Sequence, residues 1–152
     1  MITITRESPL HPDLTELHAR HHAAMHADTP PESIHMMPPD ALAAPEIAFF
    51  VMREDAAVIG MGAYKCLTPE HGEIKSMHVL AELRGRGLAR QMLDHLIAQA
   101  RSDGLTRLSL ETGTQPSFEA ARILYLRAGF QACPPFGSYR DDPNSVYLTR
   151  AI

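Results

Sequence analysis

Two glycines and three arginines lie close together just past the middle of the chain, in the sequence Leu83-Arg84-Gly85-Arg86-Gly87-Leu88-Ala89-Arg90. Glycines separated by one residue let the backbone turn tightly and bring its N–H groups close to a ligand, because no Cβ stands in the way. A helix is expected to begin directly after them, and its N-terminus would add unpaired N–H donors and the positive end of the helix dipole. The guanidinium groups would add charge-assisted donors. The loop therefore predicts a binding site for a diphosphate.

This loop does not fit two familiar nucleotide-binding patterns. A dinucleotide-binding Gly-x-Gly-x-x-Gly loop would have a third glycine where this chain has Arg90, and it would lie in the first βαβ unit. A P-loop would need Gly-Lys-Ser/Thr, which is absent. The spacing alone also fits an ordinary strand-to-helix turn with solvated arginines. The neighbouring motifs are therefore needed to distinguish this turn from a diphosphate site.

Three motifs in order resemble the GCN5-related N-acetyltransferase (GNAT) family. Arg84-x-x-Gly87-x-Ala89 matches the family's Arg/Gln-x-x-Gly-x-Gly/Ala motif, and the apparent strand His71–Val79 precedes it as in that family. Downstream, Ala121–Phe130 resembles the family's Ala-x-x-Leu-Tyr-x-x-x-Gly-Phe segment. The resemblance covers roughly residues 47 to 150 and implies a small bacterial-type member with one acetyltransferase domain over residues 1–152.

The resemblance implies acetyl-CoA as co-substrate and indicates where it would bind. In the family, the strands before and after the glycine-loop helix part, and the pantetheine arm pairs with the freed backbone groups. The thioester would then lie beside Val79, whose N–H could donate to the carbonyl oxygen as charge develops on it. The implied cofactor-binding residues are Met77, His78, Val79, Arg84, Gly85, Arg86, Gly87, Leu88, Ala89, Arg90 and Ser117. One position departs from the family, because Phe118 replaces an asparagine that contacts pantetheine; we expect that contact at Ser117 or Gln115.

Acetyl transfer by direct attack of an amine in a ternary complex needs a base and an acid. A typical alkyl amine is protonated at pH 7, so a proton acceptor helps the attack. Glu73 matches a glutamate that serves as the base in several family members, although it could also be a solvated or ion-paired strand residue. Glu111 on the adjacent strand and a chain of water molecules are the alternatives. Tyr125 matches the family tyrosine that protonates the departing thiolate, and its other interpretation is a ring packed in the core.

The sequence predicts an enzyme acting on a small-molecule or amino-acid-like amine, and two other classes of function are alternatives. A catalytically silent acyl-CoA-binding module of the same fold would bind the cofactor without turnover. An Arg-Gly nucleic-acid binder would bind with strong salt dependence, but 14 basic against 18 acidic residues leave a net charge of −4, which opposes it. A homodimer is a family-level expectation.

The histidines, the cysteines and the apolar segments indicate whether a metal, a disulfide or a membrane span is to be expected. His18, His22 and His26 have helical spacing that could suit zinc, but no carboxylate or cysteine completes a site, so no metal is predicted. Cys66 and Cys133 lack metal-ligand spacing and are expected to be reduced thiols. The start of the chain lacks the basic region of a secretory leader and no apolar run is long enough for a membrane span. These features predict a cytoplasmic protein without a membrane partner.

The elements that must position these residues follow from hydrophobic periodicity. Strands are predicted over residues 2–5, 47–53, 58–67, 73–80, 105–111, 130–133 and 145–149, and helices over 11–28, 88–102 and 117–128. A short helix is expected at 33–37 or 40–43, on either side of Pro38-Pro39. The crossover through residues 88–102 makes its flanking strands parallel neighbours. The resemblance implies an α/β (α+β) GNAT fold, in which a mixed, mostly antiparallel sheet of about six or seven strands carries a splayed parallel pair and about four helices. Pro30–Ala44 and Pro134–Pro143 would wall the acceptor site.

Overall fold

A seven-stranded sheet forms the centre of the computed structural model, which describes residues 1–152. Along the chain the strands are β1 (Ile2–Arg6), β2 (Ile47–Glu54), β3 (Ala57–Cys66), β4 (His71–Val79), β5 (Arg107–Gly113), β6 (Gln131–Ala132) and β7 (Ser145–Ala151). In space the strands follow the order β1-β2-β3-β4-β5-β7-β6, and all neighbours are antiparallel except β4 and β5. This mixed, mostly antiparallel sheet confirms the predicted fold class.

Four α-helices accompany the sheet, namely α1 (Thr15–Asp28), α2 (Pro39–Leu42), α3 (Leu88–Ser102) and α4 (Glu119–Arg127). The apolar positions of α3 recur at helical spacing and are buried, as predicted. Gly62 of β3 explains how closely this helix approaches the sheet, because a Cβ there would lie 2.8 Å from Cγ of Met92. The close packing of α3 fixes the position of its N-terminus relative to the strands.

The strand β2 is buried on both faces, which explains its continuous apolar run. Phe50 and Met52 belong to the larger core, which α3 and α4 share. Phe49 and Val51 belong to a smaller core that includes Leu17 of α1. The sheet therefore forms a middle layer, and residues from α1 and α3 complete separate cores.

The parallel strands β4 and β5 pair only at their beginnings, where His71–Glu73 face Arg107–Ser109. Beyond this point β4 continues to Val79 and β5 to Gly113 without pairing to one another. A bulge bends β4 at this place, since Ser76 has a φ of +56° and the register with β3 shifts. The predicted parallel pair is confirmed, and its pairing ends where the two strands part.

A short helix was expected at one of two places between α1 and β2, and the structure has a helix only near the second. No helix forms over residues 33–37, where a short 3-10 turn at Pro31–Ser33 is followed by chain without regular structure. Pro38 disfavours the helical conformation of Met37, which precedes it, so a helix cannot easily extend to residue 37. α2 begins only at Pro39, close to the alternative range of 40–43.

Three further elements have boundaries that differ from the predicted ones, because prolines or hydrogen bonds at a helix end intervene. α4 begins at Glu119 rather than residue 117, because Pro116–Phe118 form a 3-10 turn. β5 begins two residues late, since the Leu105 N–H donates to the Ala100 carbonyl at the end of α3. β6 has only two residues, and the prolines that follow cannot extend a hydrogen-bonded ladder.

Candidate active site

Two cavities meet in the gap between β4 and β5. The arginine cleft is bounded by the end of β4, by the glycine loop with the start of α3, and by α4. The carboxylate cavity is bounded by Glu73–Met77 of β4, by Leu110–Gly113 of β5 and by two loops. Five residues line both cavities and mark where they join: Met25, Met77, Phe118, Ala121 and Tyr125.

The arginine cleft contains ten of the eleven residues predicted to bind the cofactor. Lining it are Met77, His78, Val79, Arg84, Gly85, Gly87, Leu88, Ala89, Arg90 and Ser117. Ser117 lines the cleft whereas Gln115 does not; the Gln115 amide lies 3.3 Å from the Asn144 side chain instead. These positions agree with the predicted site, although their role in binding stays a prediction.

Backbone geometry leaves the start of α3 open to a ligand. Gly85 and Gly87 have φ angles of +85° and +76°, in the left-handed region that glycine adopts without strain. Gly87 caps α3, and no side chain caps the first N–H groups of this helix. No atom lies within 4 Å of a Cβ built at either glycine. Unpaired donors therefore face open space, as an anion-binding helix terminus requires.

The three arginines of the loop have different surroundings. Arg86 does not line the cleft, because its guanidinium forms two hydrogen bonds to the Glu54 carboxylate at 3.1 and 2.5 Å. Arg90 donates to Asp94 at 2.9 Å, one helical turn away. Arg84 lines the cleft and forms no ion pair or side-chain hydrogen bond with the rest of the protein. Arg84 is therefore the guanidinium most available to a bound anion.

The surroundings of Tyr125 fit both interpretations from the sequence, a ring packed in the core and a hydroxyl available as a proton donor. Its ring is buried, with 5% of the residue exposed, and packs edge-on against Phe130 in the core. Its hydroxyl makes no hydrogen bond to another protein group, and the residue lines both cavities. Burial raises the pKa of the phenol above its ordinary value. The side chain is thus fixed by packing while the hydroxyl is left for a ligand.

Glu73 is held by two partners inside the carboxylate cavity. The Tyr139 hydroxyl donates to its Oε2 at 2.5 Å, and Lys75 Nζ lies 3.2 Å from the same oxygen. Lys75 Nζ also lies 3.2 Å from the Tyr139 hydroxyl, so the three groups form a closed cluster. Burial raises the pKa of the Tyr139 phenol, and the neighbouring Glu73 carboxylate raises it further. Tyr139 is thereby held as a donor.

Glu111 has a different environment on the neighbouring strand. It accepts a hydrogen bond from the Ser145 hydroxyl at 2.8 Å and has no ion-pair partner within contact distance. Burial raises its pKa to about 7, and this rise is opposed by the Ser145 hydrogen bond and the charge of Lys75. A carboxyl group with this pKa exists in both protonation states near neutral pH, which suits general acid–base chemistry.

Two loops that were predicted only as walls supply groups that the sequence did not reveal. Ser33 donates to Asp142 at 2.6 Å, which joins the segment after α1 to the loop before β7. His35 packs edge-on against Tyr139 with 5.0 Å between ring centroids.

Sequence reasoning missed Tyr139 and Lys75 as site residues because no local motif marks them. The position of Lys75 two residues after Glu73, on the same side of a strand, was the available signal.

The histidines form no metal site. His22 and His26 stack on each other, while His18 bonds the Pro9 carbonyl oxygen through Nε2 at 2.8 Å. No group of three or more potential ligands is placed to hold a metal ion. His21 of α1 instead meets His78 of β4, with 3.2 Å between their Nδ1 atoms. Burial lowers the pKa of each to about 4, so this pair is neutral at pH 7.

No helix of the protein has the length and apolar character that crossing a membrane requires. Cys66 and Cys133 are both free thiols.

The sequence and the structure are both similar to those of known acetyltransferases and acyltransferases. The sequence profile of the Acetyltransferase (GNAT) family matches residues 12–130. The uncharacterised N-acetyltransferase YsnE of Bacillus subtilis (strain 168) is 48% identical over 124 residues, which are 82% of each chain. YedL of Escherichia coli (strain K12), also an uncharacterised N-acetyltransferase, is 41% identical over all of this chain and 96% of its own. A solved structure from Klebsiella pneumoniae, assigned to the acyl-CoA N-acyltransferases, superimposes with a TM-score of 0.82 at 28% identity, covering 99% of this chain and 97% of that one.

Proposed function

Because this chain belongs to the acetyltransferase (GNAT) family, we propose that it transfers an acetyl group from acetyl-CoA directly to the amine of a small or amino-acid-like acceptor. As a member of that family it is an N-acetyltransferase, and acetyl-CoA is its co-substrate. One observation supports the direct transfer most strongly: the arginine cleft and the carboxylate cavity meet at Tyr125 in the gap between β4 and β5. Two substrates bound there would have their reacting atoms side by side.

The diphosphate of acetyl-CoA would bind at the start of α3. There the unpaired N–H groups, the helix dipole and the free guanidinium of Arg84 all favour an anion. The pantetheine arm would follow the end of β4, along the edge that does not pair with β5, toward Met77, which lines both cavities. This path places the thioester where the acceptor amine can reach it.

Glu111 would take the proton that the acceptor amine must lose. Its pKa of about 7 lets it accept a proton near neutral pH, whereas Glu73 is already engaged by Lys75 and Tyr139. The neutral amine would then attack the carbonyl carbon, the C–N bond would form and the C–S bond to coenzyme A would break. The second proton of the amine would replace the one that Tyr125 gives to the sulfur. We therefore favour Glu111 over Glu73 as the base for an external acceptor.

Tyr125 would protonate the departing thiolate. Its hydroxyl has no protein partner and lies where the two cavities join. Burial raises the pKa of the phenol, so the hydroxyl keeps its proton at neutral pH until the thiolate forms. The homodimer and the cytoplasmic location expected from the sequence stay predictions.

A thiol-release assay tests the proposal. Purified protein is mixed with acetyl-CoA and a panel of small amines, amino acids and peptides, with a blank for the thiols of Cys66 and Cys133. We expect acceptor-dependent release of coenzyme A together with the acetylated amine, identified by mass spectrometry. Tight binding of acetyl-CoA without turnover on any amine would instead favour the silent binding module.

A further inference from the structure

The carboxylate cavity contains an amine that belongs to the protein. Lys75 points from β4 into this cavity, with 12% of its side chain exposed. Its Nζ lies 3.2 Å from Oε2 of Glu73 and 3.2 Å from the Tyr139 hydroxyl. An external acceptor amine would need the same surroundings, namely a carboxylate to take its proton and a place beside β4.

We propose that Lys75 is itself an acetyl acceptor, so that the protein acetylates this residue from its own bound acetyl-CoA. The inference rests on the proposed function, because it requires the thioester to lie in the gap between β4 and β5. Lys75 and Met77 are two residues apart on β4 and both line the carboxylate cavity, and Met77 also lines the arginine cleft. The lysine side chain is long enough to cover the distance between such neighbours.

The chemistry balances with the groups present. The Lys75 ammonium gives one proton to Glu73, which passes it to solvent. The neutral Nζ attacks the acetyl carbon, a C–N bond forms and the C–S bond breaks. The second proton of the amine ends on the sulfur, so the products are acetyl-Lys75 and coenzyme A. Tethering on the strand gives the amine a high effective concentration without any external acceptor.

Acetylation would change the cavity that external acceptors must enter. The Glu73 carboxylate would lose its only cationic contact, and the acetamide would occupy space beside Tyr139. A buried carboxylate without a cation attracts one, so the modified cavity would favour a cationic acceptor more strongly. Self-acetylation would thus reduce the free volume of the acceptor site and remove the positive charge of Lys75 from it.

The chain offers a matched control, since Lys65 is its only other lysine. Lys65 lies on β3 and lines neither cavity. The full-length protein is incubated with acetyl-CoA, with and without excess coenzyme A, and both lysines are followed by peptide mass spectrometry over time. Lys75→Arg and Lys65→Arg are treated in parallel.

We expect Lys75 to be acetylated about tenfold faster than Lys65 or more, at a rate independent of protein concentration, and to be protected by coenzyme A. The mass of one acetyl group should disappear in Lys75→Arg and persist in Lys65→Arg. Equal labelling of the two lysines, or labelling of Lys75 that coenzyme A does not suppress, would overturn the inference. Turnover of external amines without any label on Lys75 would also overturn it while leaving the proposed function intact. Failure to bind acetyl-CoA would remove both.

Discussion

The arginine cleft and the carboxylate cavity are built in different ways. The part of the cleft proposed to bind the diphosphate comes from one continuous stretch, Arg84–Arg90, and would depend on backbone N–H groups at the start of α3. The cavity depends on side chains from β4, β5 and two loops, and three of its hydrogen bonds join residues 34, 66 and 109 positions apart. A backbone site of this kind tolerates changes in most side chains, whereas a side-chain site does not. Substitutions should therefore affect catalysis in the cavity more than binding in the cleft.

The largest effect is expected from Glu111→Gln. Because it removes the proposed base while keeping the size of the side chain, kcat should fall about a hundredfold or more, with little change in the affinity for acetyl-CoA. In the parent protein kcat/KM should rise with pH through about 7 as Glu111 loses its proton. This limb of the pH profile should vanish in the variant.

The exposed Glu46→Gln serves as the control for this change. It should keep both the rate and the pH profile. A Glu111→Gln enzyme that keeps its limb near pH 7 would return Glu73 or a water chain to the role of base.

Tyr125→Phe should have the next largest effect. Loss of the proton donor at the junction should lower kcat about tenfold to a hundredfold, since water can partly replace it. The dissociation constant for acetyl-CoA, measured by calorimetry, should stay nearly unchanged because the ring still fills its place in the core. Tyr64→Phe is a suitable control, as its hydroxyl bonds Asp103 away from both cavities. Weak cofactor binding by Tyr125→Phe would mean that the hydroxyl contributes to binding acetyl-CoA and not only to proton transfer.

Arg84→Ala should weaken acetyl-CoA binding about tenfold, the value of one charge-assisted contact. The matched variant is Arg86→Ala, which should change the affinity only about twofold because Glu54 already holds that guanidinium. Titration of each variant with acetyl-CoA distinguishes the two. An equal loss in both would contradict the different surroundings of these arginines.

The smallest effect concerns stability against pH, where the His21–His78 pair and Glu111 act in opposite directions. The pKa values of His21 and His78 lie near 4 in the folded protein and near 6.5 when unfolded, so the unfolded state gains protons first as the pH falls below 6.5. This lowers the free energy of unfolding. The pKa of Glu111 is raised to about 7, so it adds stability at low pH that is lost as the pH rises through about 7.

We therefore expect the free energy of unfolding to fall between pH 7 and pH 5 in the parent protein, because two histidines act against one carboxyl group. In Glu111→Gln the histidine contribution should stand alone, and stability should fall over the same range by on the order of 2 kcal/mol more than in the parent. Urea unfolding at the two pH values measures both. A parent protein that loses as much stability as the variant would contradict the raised pKa of Glu111.

The sequence determined the parts of this protein that depend on near neighbours in the chain. The glycine loop, the amphipathic helix after it and the apolar strand at residues 47–53 were predictable because backbone conformation and hydrophobic periodicity act over a few residues. The same reasoning failed at residues 33–37 and at the ends of α4, β5 and β6. There prolines and cap hydrogen bonds, rather than periodicity, set the boundaries.

Only the tertiary structure decided which side chains meet. It turned Arg86 toward Glu54, left Arg84 free, and brought Tyr139 across 66 positions to Glu73. It also gave Glu111 a pKa near 7 by burying it without a cation of its own. Contacts and burial of this kind arise from packing between distant segments, and no local pattern of residues encodes them. The glycine loop could therefore be predicted from the sequence, while the carboxylate cavity and its lysine emerged only from the fold.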